Sequence, residues 1–246
     1  MGSLDGYLQA LSLVAIVILA PMTIHLIVHK EENTVFVFVD SDDDGDEKEI
    51  QPTENETNAR DLPDLNRSEV ARIATFNIKT FGKTKMSNLE VIDILVDTVL
   101  QYDMVSVQEI RDIDQNVPYQ FLDAINNQSN NTWDMKLSER SGQQEDDTSY
   151  QEQYAFYYNT TVFSPINDSL YNDSEFDLFQ KEPYVGSFEM LNASGNYSGF
   201  NFTLITIHTK PAIAMEEINA LHTVVQDYQQ QNPDEPDIVI LGDYNA

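Results

Sequence analysis

The sequence predicts an α/β fold in which a mixed β-sheet, or two packed sheets, is flanked by helices. Three observations predict it. Four apolar runs have the length and β-branched content of buried strands: Arg72 to Asn77, Met104 to Glu109, Phe202 to His208 and Asp237 to Asn245. Segments with helical periodicity separate several of them, as in strand–helix–strand units. Between Trp133 and His208 other short strand-like runs follow one another with no helix between them.

In chain order, the first segment is Leu8 to Val28, apolar apart from Gln9, Ser12, Thr23 and His25. As a helix it is about long enough to cross a bilayer. It lacks the basic n-region and small-residue cleavage site of a secretory signal. Residues 1–30 are therefore expected to form an apolar helix and uncleaved anchor, with a cleaved signal or a buried helix as alternatives. Thr34 to Val39 has strand composition. Residues 40–64 carry eleven acids and almost no apolar content, so 31–68 is read as an acidic, disordered linker. The remaining stretch, 69–246, is the main domain.

Within it, a strand is expected at about 71–78. A helix follows, with Val91, Ile92, Ile94, Leu95, Val99 and Leu100 on one stripe. Next come a strand at 103–110 and a helix from Pro118 to Ile125. Short strands are expected at 133–138, 153–158 and 185–191, and a longer one at 200–208. The last helix runs from Ala214 to Gln230, with Met215, Ile218, Leu221, His222 and Val225 along one face. Asp237 to Leu241 is the final strand. It reads as a central one, yet the chain stops at Ala246, so the domain is expected to be incomplete at its carboxyl end.

Composition narrows the function. The chain has 42 acidic and 13 basic residues, a formal net charge of -29. From Glu69 onward there are still 28 acids against 9 bases. Such a surface opposes polyanion binding unless concentrated salt screens the repulsion. Either the substrate is not nucleic acid or the protein is adapted to salt, and the salt-adapted reading is preferred. No cysteine is present. Ten Asn-x-Ser/Thr acceptors (Asn55, Asn66, Asn127, Asn130, Asn159, Asn167, Asn172, Asn192, Asn196 and Asn201) exceed the roughly two or three that chance would supply, and point to an exported, glycosylated protein.

The strand ends carry the chemistry. In layered α/β folds, ligands collect beyond the carboxyl ends of strands. Asn77, Glu109, His208 and the Asp243/Asn245 pair all fall at such ends. Glu109 is a hard oxygen ligand suited to Mg²⁺, Mn²⁺ or Ca²⁺, and Asn77 can add a neutral oxygen to the same ion. Glu152 is a candidate partner that would orient the His208 ring and favour its charged form. That ring could then donate to a leaving alkoxide. Asp243 and Asn245 alternate with Tyr244 and point the same way if strand geometry persists; an Asp can activate water and an Asn can hold a phosphoryl oxygen. Together these residues describe a metal-assisted hydrolase of phosphate esters.

Five segments in order, Phe76 to Met86, Val107 to Asp112, Ser149 to Phe156, Ile207 to Pro211 and Gly242 to Ala246, resemble the successive motifs of the deoxyribonuclease I family. That family belongs to the endonuclease/exonuclease/phosphatase superfamily. The resemblance runs from about Arg72 to Ala246. Gly-Asp-x-Asn alone marks the superfamily, whereas Thr80-Phe-Gly-Lys-Thr-Lys-Met86 and Ser149-Tyr-Gln-Glu-Gln-Tyr154 are narrower.

The resemblance implies a four-layer sandwich of two packed mixed sheets between helices. It also implies endonucleolytic cleavage of DNA with Mg²⁺, Mn²⁺ as a substitute, and a structural Ca²⁺. Glu109 would be the principal metal ligand with Asn77 beside it. His208 would be an acid/base paired with Glu152, and Asp243 and Asn245 would meet metal or phosphate. Arg111, Tyr150 and Lys79 match positions that contact DNA. The expected partners are thus DNA as substrate and a membrane through the amino-terminal segment; no protein partner is inferable.

Three departures accompany the resemblance. The family's second catalytic histidine, in a Ser-Asp-His motif, and a further aspartate lie beyond Ala246, which implies a fragment, inactive and poorly folded alone. Lys79 stands where the family carries Arg. The loop before Tyr150 reads Gln143-Gln-Glu-Asp-Asp147 where Arg is common. A lysine lacks the guanidinium fork that clamps phosphate. The acidic surface keeps open a phosphatase acting on a lipid or sugar phosphate, and the sequons keep open a non-catalytic glycosylated module.

Overall fold

Strand alternation builds the layers of this molecule. The structure is a computed structural model that describes residues 14–16, 22–29, 34–41, 70–142, 150–235 and 237–245. In chain order the strands and helices are β1 (Val14–Ile16), β2 (Met22–His29), β3 (Thr34–Ser41), β4 (Val70–Phe81), α1 (Lys83–Met86), α2 (Leu89–Val99), β5 (Met104–Ile110), α3 (Val117–Gln128), β6 (Trp133–Leu137), β7 (Gln153–Asn159), β8 (Phe163–Leu170), β9 (Tyr184–Leu191), β10 (Tyr197–His208), α4 (Ala214–Gln231) and β11 (Ile238–Asp243).

Two mixed sheets result. One has the order β3-β2-β4-β5-β7-β6, the other β1-β11-β10-β9-β8. Each holds a parallel pair joined by a helical crossover: β4 with β5 through α1 and α2, and β10 with β11 through α4. The remaining β7 and β9 neighbours are antiparallel.

Side chains two residues apart share a face of a strand. Ala71 and Ile73 of β4, Met104 of β5, Tyr154, Phe156 and Tyr158 of β7, Leu204 of β10, and Val239 and Leu241 of β11 meet in one cluster between the sheets. The opposite face of β4, β5 and β7 (Ala74, Val105, Val107, Tyr157) packs on α2 and α3. The opposite face of β10 and β11 (Ile205, Ile207, Ile238, Ile240) packs on α4. Helix, sheet, sheet and helix give four layers, as the resemblance implies. Phe121 shows how the outer layers are held. It is fully buried, edge-on to Phe81 at 5.0 Å and to Tyr157 at 5.3 Å between ring centroids.

Several expectations need adjustment. Within Leu8 to Val28, where the sequence predicts an apolar helix, the described residues are strands: Val14–Ile16 and Met22–His29. Met22 to Val28 is rich in β-branched residues, which favour a pleated sheet over a helix. The rest of that segment lies outside the described residues. Among the described residues no helix is long and apolar enough to cross a membrane. Thr34–Ser41 is a strand, antiparallel to β2; residues 42–69 of the expected linker lie outside the described residues.

β8 has no counterpart in the sequence-based reading. It is an edge strand paired only with β9 in its sheet, with a register shift between Pro165 and Asn167, so its polar composition hides it. The helix stripes also rotate. Ile94 is exposed and Val96 is buried in α2; in α4, Met215 and His222 face outward while Glu217 and Val224 turn in.

Candidate active site

The parallel pairs place the carboxyl ends of β4, β5, β10 and β11 at one edge of the sandwich. β7 runs antiparallel to β5, so its beginning, at Glu152–Gln153, reaches the same edge. Alternation then dictates what appears there. Above Ile73 on β4 come Thr75 and Asn77; above Leu204 on β10 come Thr206 and His208; above Leu241 on β11 comes Asp243.

Glu109 breaks this rule. Strict alternation would aim it toward the helices with Val105 and Val107. Its positive φ of 59° and the register shift between Asn77 and Phe81 turn its carboxylate back to the shared edge. Thr80, opposite, is also held at a positive φ, 57°, costly for a β-branched residue. Its backbone N–H donates to Glu109 Oε2 at 2.7 Å.

The site therefore converges. Asn77 Nδ2 donates to Glu109 Oε1 at 3.0 Å and to Asp243 Oδ2 at 2.6 Å. His208 Nδ1 lies 2.7 Å from Glu152 Oε2, while Nε2 faces Glu109 Oε1 at 3.7 Å and Asp243 Oδ2 at 3.9 Å. The His208 backbone N–H donates to the Tyr154 hydroxyl at 3.1 Å, which fixes the strand end beneath the ring.

Glu152 is fully buried and ringed by cations. Arg111 Nε donates to Glu152 Oε1 at 2.9 Å, a second guanidinium nitrogen bonds the same oxygen, and Lys181 Nζ lies 3.9 Å away. Burial alone would raise this carboxyl. The His208 ring, Lys181 and Arg111 outweigh burial and hold it below its ordinary value of 4.5.

Five of the six residues expected to act in catalysis or metal binding, Asn77, Glu109, Glu152, His208 and Asp243, thus come together, while the sixth, Asn245, meets them only through its backbone N–H on Asp243. The three expected to contact DNA do not join them in the same way. Arg111 is committed to Glu152, with one guanidinium nitrogen 4.0 Å from Glu109. Lys79 and Tyr150 are exposed, and among the described residues neither bonds to the carboxylates or to His208. Asn245 departs from strand geometry: its φ is 46°, its Nδ2 donates to the Thr209 carbonyl at 2.9 Å, and its backbone N–H donates to Asp243 Oδ1 at 3.1 Å.

Sequence reasoning missed Thr80, Tyr154 and Lys181. Lys181 lies in an irregular stretch with no periodicity to mark it. Thr80 could have been suspected, since it sits inside a strand run two residues before a glycine.

Metal-ligating capacity rests on oxygen. Among the described residues no group of three or more His, Cys, Asp and Glu is arranged to hold a metal ion. The site instead offers the Glu109 and Asp243 carboxylates, joined through Asn77 Nδ2. It also offers Asn77 Oδ1, which is buried without a hydrogen-bond partner. An incomplete set of hard oxygens fits Mg²⁺ or Mn²⁺, which keep waters or substrate oxygens in their other positions. It does not fit a closed zinc site.

The sequence is similar to those of known proteins. The profile of the Endonuclease/Exonuclease/phosphatase family matches residues 74–246. Deoxyribonuclease-1 of Bos taurus is 35% identical over 182 residues, covering 71% of this chain and 60% of that protein. The Homo sapiens protein is 33% identical over 183 residues with the same coverages. The chain thus spans about 60% of the length of these relatives. Among solved structures, the human Nocturnin catalytic domain with bound sulfate aligns with a TM-score of 0.47 at 12% identity, covering 72% of this chain and 64% of that one. With its motifs, four layers and converging strand ends, the chain belongs to the endonuclease/exonuclease/phosphatase family as a deoxyribonuclease-I-like member.

Proposed function

We propose that this protein is a divalent-metal-dependent phosphodiesterase that cleaves DNA endonucleolytically. The observation that carries the reading is the His208 ring, tied on one side to buried Glu152 and open on the other toward Glu109 and Asp243. Holding Nδ1–H on Glu152 leaves Nε2 free to exchange a proton with a bound substrate.

Glu109 and Asn77 would hold the metal, with Asp243 at its edge. A Mg²⁺ or Mn²⁺ ion held by these residues would supply neutralisation of charge on the phosphoryl oxygens. Water adds to phosphorus and gives its proton to Asp243. The ester P–O bond breaks, and the leaving alkoxide takes a proton from the protonated His208 ring. Glu152, with Arg111 and Lys181, keeps that ring oriented through the step. Lys79 and Tyr150, exposed near this edge, are the proposed DNA contacts, and Asn245 a proposed phosphoryl contact.

Plasmid nicking in Mg²⁺ by the full-length protein tests the reading. Glu109→Gln and His208→Ala should each lower the rate by at least about 100-fold, the lower bound expected for an essential acid–base group. Their circular dichroism should remain native. Unchanged rates in both variants contradict the proposal. Release of inorganic phosphate from phosphomonoesters without any nicking would favour the phosphatase reading, which the acidic surface supports.

We further propose that the protein is exported and glycosylated. Asn127, Asn130, Asn192 and Asn196 are exposed where α3 leads into β6 and where β9 turns into β10, at the end remote from His208. Asn159 is 4% exposed and unsuited to modification in the folded protein. Peptide mass spectrometry of protein from its native host should find glycans at the exposed acceptors; bare acceptors throughout would contradict export by this route.

A further inference from the structure

Between the apolar core and the candidate site lies a layer of buried polar side chains that neither the metal nor the substrate would touch. Thr75 of β4, Ser106 and Gln108 of β5 and Thr206 of β10 are each at most 3% exposed. The Gln108 amide oxygen accepts from Thr75 Oγ1 at 3.1 Å. Its amide nitrogen donates to Thr206 Oγ1 at 2.9 Å, Ser106 Oγ at 3.0 Å and the Ser106 carbonyl at 3.2 Å. Ser106 Oγ donates to Thr206 Oγ1 at 2.9 Å. The cluster thus crosses from one sheet to the other.

Stability alone does not call for such a layer. Apolar side chains of similar volume would bury the same space without desolvating four polar groups, and such replacements are commonly neutral or stabilising. Hydrogen bonds do something apolar contacts do not. Their narrow distance and angle ranges fix the shift of one strand against another, whereas hydrophobic surfaces tolerate sliding.

Here the two strands concerned carry the reacting groups. Glu109 follows Gln108 directly, and His208 comes two residues after Thr206. Any slip between the sheets is passed to the 3.7 Å spacing of His208 and Glu109.

We propose that Thr75, Ser106, Gln108 and Thr206 are positioning residues that lock the register between the two sheets and so set the geometry of the divalent-cation site against His208. The inference rests on the metal site proposed above and deepens it.

Two substitutions at one position separate register from packing in the 246-residue chain. Thr206→Val keeps the volume and removes the hydroxyl; Thr206→Ser keeps the hydroxyl and removes a methyl. The probe is Mn²⁺ alone, read as the concentration that half-broadens the Asp243 amide resonance, alongside the melting temperature. Thr206→Val should raise that concentration about 10-fold, the scale of lost support to metal ligands, and should also melt below the parent, because the buried Ser106 hydroxyl loses its acceptor. Thr206→Ser should melt lower and bind Mn²⁺ like the parent.

The inference is overturned if Thr206→Val binds Mn²⁺ within two-fold of the parent while Glu109→Gln weakens it, and equally if only Thr206→Ser loses affinity. If Glu109→Gln also leaves the midpoint unchanged, the metal site itself fails and this inference with it. Should Thr206→Val not fold, Gln108→Met takes its place: a roughly 10-fold weaker midpoint supports the register role, and a midpoint within two-fold of the parent overturns it.

Discussion

Glu152 is the residue on which the electrostatics of the site turn. Its carboxyl is held below 4.5 because the His208 ring, Lys181 and Arg111 together outweigh its burial. A depressed folded value adds stability that is present above the ordinary carboxylate value and is lost as pH falls through the lowered one. Chemical unfolding across a pH series should therefore show stability declining on acidification from about pH 4.5 downward. Glu152→Gln should cost about 3 kcal/mol near neutrality, where it strands Arg111 and Lys181, and its curve should meet the parent's in acid. A variant curve parallel to the parent's at every pH would contradict this electrostatic account.

At this scale much was legible in the sequence. Asn77, Glu109, His208 and Asp243 could be picked out because a polar residue closing a buried strand stands apart from its neighbours. The commitment of Arg111 to Glu152 could not, since it depends on where an irregular stretch of chain lies in space. Nor could the positive φ of Glu109, which corrects a side chain that simple alternation would misdirect.

Between elements, close approach of strands leaves its own mark. Gly242 on β11 has φ 147°, and a Cβ there would sit 2.0 Å from the Ile207 carbonyl oxygen on β10. Gly242→Ala should thus force apart the pair that carries His208 and Asp243, and thermal melting should show a lowered or lost cooperative transition. A parent-like melt would mean that β10 and β11 are not so closely apposed. Asp112 supports α3 in another way: its carboxylate accepts the backbone N–H groups of Asn116 at 2.7 Å and Val117 at 2.9 Å. Asp112→Ala should cost about 1 kcal/mol, a typical cap loss, in denaturant unfolding.

Elements with strong periodicity, such as β10 and β11, follow their patterns closely. β8 does not, because an edge strand can carry Pro165, Asn167 and Asp168 without burying them all. Glu217 misled the helix reading in the same manner. It turns inward on α4 because both carboxylate oxygens accept backbone N–H groups, from Gln180 at 2.7 Å and Lys210 at 2.6 Å.

The whole molecule joins a family scaffold to an unusual charge. With 42 acids and 13 bases, self-repulsion opposes folding and DNA approach alike at low ionic strength. Raising monovalent salt from about 0.1 M to 1 M shortens the screening length from roughly 10 Å to 3 Å, so the melting temperature should climb across that range. A flat or falling profile would contradict adaptation to salt. The four-layer arrangement was legible because its resemblance spans the main domain, and the three apolar clusters separate by strand and helix face as alternation requires.

The central claim is that Asn77, Glu109, His208 and Asp243, far apart in sequence, surround one divalent ion. Residue-resolved Mn²⁺ broadening of amide resonances tests it most directly. The account predicts that these four amides broaden together at the lowest Mn²⁺ concentrations and that Glu109→Gln abolishes the effect. Early broadening confined to the acidic tract at residues 40–64, with the four amides untouched, would contradict it.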